Sequence, residues 1–200
     1  MIILVFDLDD TLLMSNEYTK YENIKFNSQL SNLLNFIKYK KIIYSNGTYG
    51  HVNNSLPKLV SNNIFNEIYA RDTIPAMKPH FKSFNYVKNS IFYNQNLNKY
   101  KDISYIFFDD NLDNMKTAKE IGWTTVWIPH RNYNTSIKNN NYNFVDYKYD
   151  NIIIALNNIN TIINYVNQPI FIPSNNFKGA KNGFHFKKGN NGLGYYKNQK

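Results

Sequence analysis

The sequence contains no cysteine among its 200 residues. A disulfide framework, a thiolate metal site and a cysteine nucleophile are therefore excluded, and with them the phosphatases that depend on a catalytic cysteine. No apolar run approaches the ~20 residues that a membrane-spanning helix needs. The first residues lack the basic leader of a signal peptide, because acidic side chains follow the first apolar run directly. We therefore expect a soluble intracellular protein, cytoplasmic by default, with no membrane partner.

Positive charge is concentrated at the carboxyl-terminal end of the chain. The net charge is +9, and residues 168–200 hold six lysines and no acidic residue, which leaves +3 for residues 1–167. Five of the eight glycines also lie in this tail, together with the aromatic residues Phe177, Phe184, Phe186, Tyr195 and Tyr196. We predict one folded domain over residues 1–167 and an extended tail over residues 168–200, flexible except where its aromatic residues dock.

The first dozen residues, MIILVFDLDDTL, pair an apolar run with a cluster of acids. Ile2–Phe6 is rich in branched side chains, which is typical of a strand buried on both faces in a parallel sheet. Asp7, Asp9 and Asp10 follow it directly. Open α/β sheets place their active sites at the carboxyl ends of such strands. An acidic turn after a core strand explains this stretch equally well when it is taken alone.

Apolar runs and helical patterns alternate along the chain. Strands are predicted at Lys41–Tyr44, Ile68–Ala70, Ile103–Phe108 and Thr124–Ile128, with an edge strand at Phe144–Val145. Helices are predicted at Asn27–Tyr39, after Thr48, at Phe81–Phe92, Leu112–Ile121 and Ile152–Val166, with Pro57 interrupting the second or opening a later piece. This alternation predicts an α/β fold, a Rossmann-like parallel sheet with helices on both faces.

Polar groups follow four of the predicted strands in a fixed order. They occur in the stretches VFDLDDTL, IIYSNGT, MKPHF and IFFDDNLDN. This set resembles the four motifs of the haloacid dehalogenase-like (HAD) superfamily of phosphohydrolases, over roughly residues 2–128. Within it, FDLDDTL and FFDDNLDNMKTAKEIGWTTVWI are similar to pyrimidine 5′-nucleotidases and their relatives.

The resemblance implies a role for each matching residue. Asp7 is the nucleophile that forms an aspartyl-phosphate, and Asp9 is the general acid and base. Ser45, Asn46 and Lys78 bind the phosphate of the substrate. An aspartate at position 9 fits a phosphatase, since dehalogenases and ion-pumping ATPases of the superfamily have other residues there.

A cation is expected in the same place, because Asp7 and a phosphate repel each other. Mg²⁺ suits a site built from oxygen ligands. The resemblance implies that its ligands are the Asp7 carboxylate, the Asp9 main-chain carbonyl and Asp110. Asp109 is either a further ligand or a residue that orients the others. Asp113 is expected to be a helix first-turn charge.

Several other polar and aromatic residues near these motifs are expected to be structural. Thr11 is predicted to cap or brace the turn after the first strand. We expect an exposed helix position for His51 and surface positions for His80, His130 and Arg131, with a place at the entrance or in contact with substrate as the alternative for each. Trp123 and Trp127 are expected in the core or at the sheet edge.

The intervals between motifs are short. Only 37 residues separate Asp7 from Ser45, and 32 separate Ser45 from Lys78. Superfamily members insert their substrate-selecting cap domains in these two intervals, so we predict a capless protein, unlike the nucleotidases. An open site admits a phosphorylated macromolecule as well as a nucleotide. Alternatively, the tail covers the site, with lysines for phosphates and aromatic rings for bases.

Three functional hypotheses remain open at this point. The first is a Mg²⁺-dependent phosphatase. The second is a non-catalytic binding or regulatory protein on a HAD scaffold, which the complete motif set disfavours. The third is a protein that binds nucleic acid, or another partner, through its basic tail.

Overall fold

The computed structural model describes residues 1–14, 20–94, 103–130, 142–181 and 183–198. The chain divides into two compact units, Met1–Asn157 and Asn158–Lys200. The predicted boundary after residue 167 therefore falls inside unit 2. The sequence also predicts a loop or flap over residues 13–25 and an asparagine-rich loop over residues 132–143. Residues 15–19 of the first, residues 132–141 of the second, and Arg131 lie outside the described residues.

Unit 1 is built on a parallel sheet. Its strands are β1 (Ile2–Phe6), β2 (Lys40–Ser45), β3 (Glu67–Ala70), β4 (Ser104–Asp109), β5 (Thr124–Trp127) and β6 (Tyr147–Lys148). Their order in the sheet is β3-β2-β1-β4-β5-β6, and every pair of neighbours is parallel. The predicted Rossmann-like α/β fold is confirmed.

Helices connect these strands. They are a 3-10 turn (Tyr21–Asn23), α1 (Ser28–Phe36), α2 (Tyr49–Leu59), α3 (Phe81–Asn94), α4 (Leu112–Glu120) and α5 (Ile152–Asn157). Polar side chains fix where several of them begin: Asn27 Oδ1 accepts the Leu30 amide at 2.9 Å, and Asn111 caps α4.

Both faces of the sheet are covered, as the alternation of strand side chains requires. Ile3 and Val5 point into a cluster that includes Phe84 of α3 and Met115 of α4. The alternate residues of β1 point to the opposite face, where Phe6 stacks on Phe108 at 4.6 Å between ring centroids. Buried residues of α1 and α2 lie outside the first cluster: Leu30, Leu34 and Val52.

The strand order reverses direction between β1 and β4. After β1 the chain adds β2 and β3 on one side, and then crosses to add β4 to β6 on the other. Successive connections therefore leave the carboxyl ends of β1 and β4 in opposite directions. Such a switch point opens a crevice at that edge of the sheet.

Three local predictions are wrong. Pro57 lies inside α2, near its end, where the buried side chains of Leu56 and Leu59 hold the last turn in place. The edge strand is Tyr147–Lys148, after the predicted Phe144–Val145, because the preceding turn is held by the buried Asp146 carboxylate. The predicted helix over residues 152–166 breaks at Asn158, which separates α5 from α6 (Ile159–Asn167).

Unit 2 contains α6 and a three-stranded antiparallel sheet. Its strands are β7 (Phe171–Pro173), β8 (Phe184–Gly189) and β9 (Gly192–Lys197), in the order β7-β9-β8. The expectation of an extended tail is therefore wrong for most of residues 168–198. Its aromatic residues pack on each other, as Phe186 and Tyr195 do at 5.2 Å between centroids.

Gly194 is required by the packing of two strands, although the glycine content of the tail suggested mobility. A Cβ on Gly194 would lie only 2.3 Å from the Ile172 carbonyl oxygen, so the close approach of β7 to β9 requires glycine at this position. No helix of the described residues is long and apolar enough to cross a membrane.

Candidate active site

The chain turns back immediately after β1. The Asp7 amide still donates to the Phe108 carbonyl at 2.9 Å, as part of the ladder with β4. The amides of Leu12 and Leu13 then both donate to the Leu8 carbonyl, at 3.0 and 2.8 Å. Asp10 adopts a φ of 59°, a conformation that aspartate tolerates better than most residues. This turn brings the side chains of Asp7 and Asp9 to one side of the strand tip.

A cleft of about 630 Å³ lies at the carboxyl ends of β1, β2 and β4. It brings together every predicted site residue except Asp109, which is fully buried. The residues that line it are Asp7, Asp9, Asp10, Tyr21, Ser45, Asn46, Gly47, Thr48, His51, Arg71, Lys78, Asp110, Asn111 and Asn114.

Lys78 links two carboxylates at the base of the cleft. Its Nζ lies 2.7 Å from Asp7 Oδ1 and 2.6 Å from Asp109 Oδ2, and its side chain is 1% exposed. Burial by itself disfavours the ammonium, but the attraction of Asp109 and Asp7 outweighs it and raises the pKa of Lys78. Lys78 is therefore a fixed positive charge beside the predicted nucleophile.

Three carboxylates meet around this single ammonium. Oxygens of Asp7, Asp109 and Asp110 all lie within 4.8 Å of one another. Burial, with Asp109 and Asp110 nearby, raises the pKa of Asp7 well above its usual range, against the opposing effect of Lys78. Burial and the neighbouring Asp109 and Asp10 raise the pKa of Asp110 to about 7. This excess of buried negative charge and its all-oxygen donor set fit a divalent cation.

Asp109 and Asp110 differ in their surroundings. Both Asp109 oxygens accept hydrogen bonds from Asn114 Nδ2, at 3.0 and 3.1 Å, and Oδ1 also accepts the Asn111 amide at 2.8 Å. Asp110 instead lines the cleft, and its main-chain carbonyl accepts the Trp127 indole N–H at 2.7 Å. Only one member of the pair therefore presents its carboxylate to the cleft.

The loop after β2 provides hydrogen-bonding groups beside Asp7. Ser45 Oγ accepts the Gly47 amide at 2.9 Å, which leaves its own O–H to donate into the cleft. The Asn46 side chain is paired with the main chain of Lys78 in both directions, at 2.9 Å each. Asn46 therefore ties the loop after β2 to the segment carrying Lys78, and its contact with phosphate stays a prediction.

The expectation for His51 is wrong. Its Nε2 lies 2.8 and 3.0 Å from the two carboxylate oxygens of Asp9, inside the cleft. Thr48 caps α2 by accepting the His51 amide, so His51 stands in the first helical turn. Side chains lean toward the amino end of a helix, and here that direction leads to Asp9. In the sequence, the short distance between Ser45 and His51 was the feature that could have indicated that His51 lies in the cleft.

Other residues lie mostly where the sequence indicated. Trp123 and Trp127 are buried, and His80 is exposed, accepting the Lys82 amide at 3.1 Å. His130 Nε2 lies 3.3 Å from Asp10 Oδ1. The Thr11 side chain is fully buried in the turn after β1, but its hydroxyl has no hydrogen-bond partner among the described residues, so the capping hydrogen bond is not formed there. The cleft residues Tyr21 and Arg71 carried no motif signal and were missed, and Asn114 was missed although it is the last residue of the stretch IFFDDNLDN.

The family model of the haloacid dehalogenase-like hydrolases matches residues 14–128, more than half of the chain. The match includes Ser45, Lys78 and both acids at the end of β4. It begins after the turn that holds Asp7 and Asp9. No curated protein matches the sequence.

Several solved structures share the fold at low identity. A protein from Bacillus subtilis bound to magnesium, described as a putative HAD-hydrolase, is 16% identical with a TM-score of 0.53, and the match covers 70% of this chain and 57% of that protein. A protein from Haemophilus somnus, described as a predicted phosphoglycolate phosphatase, is 18% identical with a TM-score of 0.50 and coverages of 68% and 56%. The L-2-haloacid dehalogenase of Xanthobacter autotrophicus is 13% identical with a TM-score of 0.51 and coverages of 70% and 63%. The chain therefore spans somewhat more than half the length of these proteins.

Proposed function

The chain belongs to the haloacid dehalogenase-like hydrolase family, and on that basis we propose that it is a Mg²⁺-dependent phosphatase. It cleaves phosphate monoesters through an aspartyl-phosphate intermediate. The observation that carries the proposal is the convergence of Asp7, Asp9, Ser45 and Lys78 in one cleft. Nucleophile, proton carrier and phosphate-binding groups are thus side by side, as phosphoryl transfer requires.

In the first step the free oxygen of Asp7 attacks the phosphorus atom. Lys78 holds the other oxygen at 2.7 Å and so fixes the orientation of the carboxylate. A bond forms between Asp7 and phosphorus, and the bond between phosphorus and the leaving oxygen breaks. Asp9 donates a proton to that oxygen, which leaves as an alcohol.

The second step regenerates the enzyme. Asp9, now ionised, accepts a proton from a water molecule as the water oxygen bonds to phosphorus. The bond between phosphorus and Asp7 breaks, which releases inorganic phosphate and returns the Asp7 carboxylate. Asp9 is again protonated and ready to donate. Ser45 and Lys78 stabilise the phosphoryl oxygens in both steps.

The carboxylates of Asp7 and Asp110 and the Asp9 main-chain carbonyl would hold Mg²⁺. Asp109 would orient the site without binding the ion directly, because Lys78 and Asn114 already occupy its oxygens. The ion supplies positive charge that offsets the mutual repulsion of the carboxylates and the phosphate.

We expect millimolar Mg²⁺ to raise the thermal unfolding midpoint by about 5 °C or more, since it binds only the folded site. Asp110→Asn should abolish this rise. It should also make the metal-free protein slightly more stable, because it removes one of the crowded charges. Thermal scans with and without Mg²⁺ measure both effects.

Asp113→Asn is the matched control, since Asp113 is exposed on α4. It should keep the full rise with Mg²⁺. An unchanged rise in the Asp110→Asn protein would contradict the assignment of Asp110 as a ligand.

Phosphatase chemistry is favoured over dehalogenation by the contents of the cleft. Removing a halide requires neither a proton donor nor a cation at the leaving group, whereas an alkoxide leaving group requires the proton. Asp9 supplies it. Assays with an aryl phosphate and with a 2-haloacid, in the presence and absence of Mg²⁺, separate the two activities.

The cleft wall favours a substrate with more than a bare phosphate. Tyr21 and Arg71 are exposed in this wall. The Arg71 guanidinium forms no ion pair with any of the described residues. An aromatic ring beside a cation suits a nucleotide or an oligonucleotide end carrying a second anionic group. A screen of nucleotides, sugar phosphates, phosphopeptides and 3′- or 5′-phosphorylated oligonucleotides tests this preference.

We also propose nucleic-acid binding by unit 2. Residues 158–200 contain six lysines and no acid. On the unit 2 sheet, Lys187 and Lys188 are exposed on β8, and Lys187 lies 5.2 Å from the ring centroid of Tyr196. Cations beside aromatic rings form the kind of surface that binds single strands by phosphate contacts and stacking.

A Lys187→Ala/Lys188→Ala protein should bind single-stranded oligonucleotides more weakly. Its dependence of log affinity on log salt should be shallower by about one to two, since two phosphate contacts are lost. Fluorescence anisotropy in a salt series measures this slope. Lys82→Ala, an exposed lysine of α3, is the control, and equal slopes in all three proteins would contradict the proposal.

A further inference from the structure

We propose that His51 is a positioning residue for Asp9, and that Tyr21 holds His51 in the form required for this role. The inference rests on the proposed function, because it assigns a support to the proton carrier of that reaction. It concerns an interaction between side chains that no sequence motif marks.

The contact is direct. His51 Nε2 lies between the two Asp9 oxygens, 2.8 Å from Oδ1 and 3.0 Å from Oδ2. The Asp9 side chain is 45% exposed, and among the described residues His51 is the only hydrogen-bond partner of its carboxylate. The His51 side chain is 26% exposed and is held on its other side by the Tyr21 hydroxyl. An exposed carboxylate thus has one partner that is itself held in place.

Hydrogen bonding fixes the roles of the two ring nitrogens. In the second step Asp9 is ionised and only accepts hydrogen bonds, so His51 Nε2 must carry a proton to donate to it; in the first step the protonated Asp9 still accepts from Nε2 through its other oxygen. In the neutral ring, Nδ1 is then an acceptor. The Tyr21 hydroxyl lies 2.9 Å from Nδ1 and supplies the matching donor. Tyr21, His51 and Asp9 form a chain of two hydrogen bonds that points toward the cleft.

Gly47 leaves the space that this approach of His51 to Asp9 requires. A Cβ there would lie 2.7 Å from His51 Cδ2 and 3.5 Å from Asp9 Oδ2, so any side chain would displace the ring. The turn carrying Tyr21 is itself attached to α2, because Lys58 Nζ donates to the Tyr21 carbonyl at 3.1 Å. The Tyr21 end of the chain of hydrogen bonds is therefore anchored to α2.

The consequence for the reaction is geometric. His51 contacts both Asp9 oxygens, at 2.8 and 3.0 Å, and so fixes the orientation of the carboxyl group from which a proton passes to the leaving oxygen in the first step and to which the water gives its proton in the second. Proton transfer by a well-placed group contributes about 10²- to 10⁴-fold to such reactions. A carboxylate that rotates freely would lose part of this factor, while phosphate binding through Ser45 and Lys78 would be unchanged.

The test compares His51→Ala with His51→Gln, whose Nε2 occupies nearly the same place as that of histidine. Two substrates of similar shape are used, phenyl phosphate and 4-nitrophenyl phosphate. Phenolate is the more basic leaving group and depends more on the proton from Asp9. His51→Ala should lower kcat/KM for phenyl phosphate roughly 10- to 100-fold and for 4-nitrophenyl phosphate much less. KM should change little, and His51→Gln should recover most of the loss.

Tyr21→Phe should reproduce a smaller version of the same pattern. His185→Ala, in unit 2, is the control and should leave both substrates unaffected. Equal losses on both substrates, or no recovery with glutamine, would overturn the role of His51 while leaving the phosphatase intact. If the Asp7→Asn protein still hydrolyses both substrates at the wild-type rate, the proposed function is overturned, and the role of His51 with it.

Discussion

An Asp7→Asn protein is expected to lose phosphatase activity by at least about 10³-fold, because a carboxamide oxygen is a poor nucleophile. The substitution keeps the size of the side chain and an oxygen that can accept from Lys78. The fold should therefore survive. Initial rates with 4-nitrophenyl phosphate and Mg²⁺ measure the loss, and circular dichroism checks the fold.

The control for this variant is Asp113→Asn, an equivalent change at an exposed position of α4. It should retain wild-type rates. Hydrolysis that continues in the Asp7→Asn protein would contradict the mechanism. A wild-type protein that binds phosphate esters without cleaving them would instead support a non-catalytic role for the scaffold.

A Lys78→Met protein is expected to be less stable by about 3–5 kcal/mol, since removing one partner of a buried ion pair leaves an uncompensated charge. Asp7 and Asp109 both contact this ammonium, and both are buried. Methionine matches the length of lysine, so the loss reports on charge more than on packing. Guanidinium unfolding in the absence of Mg²⁺ measures it.

A second variant shows that charge is the cause. The double variant Lys78→Met/Asp109→Asn lacks one of the two buried carboxylates that Lys78 neutralises in the wild type. Its loss of stability should therefore be smaller than the sum of the losses in the two single variants. Lys82→Met, at an exposed position, should change stability by less than about 0.5 kcal/mol. Simple additivity, or a Lys78→Met protein as stable as the wild type, would contradict this account of the site.

The core of the site could be predicted because it depends on backbone topology. An apolar run such as Ile2–Phe6 is compatible with few environments other than the middle of a parallel sheet. In such a sheet the carboxyl ends of all strands lie at one edge. Ser45 and Asp110 follow strands of this sheet, so their meeting with Asp7 required no knowledge of side-chain packing.

Features that depend on side-chain direction could not be predicted in the same way. His51 was placed on the surface because its helix position alone does not specify that the turn after β1 brings Asp9 within 3 Å. Asp109 and Asp110 have different surroundings because Asn114 donates to Asp109. Only the folded α4 places Asn114 beside the end of β4. Neighbouring acids in a sequence look alike until their partners are known.

Composition was the least reliable guide. The glycines and lysines of residues 168–200 indicated a mobile tail, yet this segment forms three strands. Gly194 is required there by a close approach of two backbones, and the alternating aromatic residues supply the packing. Pro57 likewise indicated a break that burial of its neighbours prevents.

The most direct measurement of the central claim is the mass of the acid-quenched protein after reaction with 4-nitrophenyl phosphate. An Asp9→Asn variant is used, because it lacks the base for the second step while this leaving group needs little help in the first. The protein should gain the mass of one phosphoryl group, peptide mapping should place that group on Asp7, and the Asp7→Asn/Asp9→Asn protein should gain none. Turnover without a phosphorylated protein, or a phosphoryl group on any other residue, would contradict it.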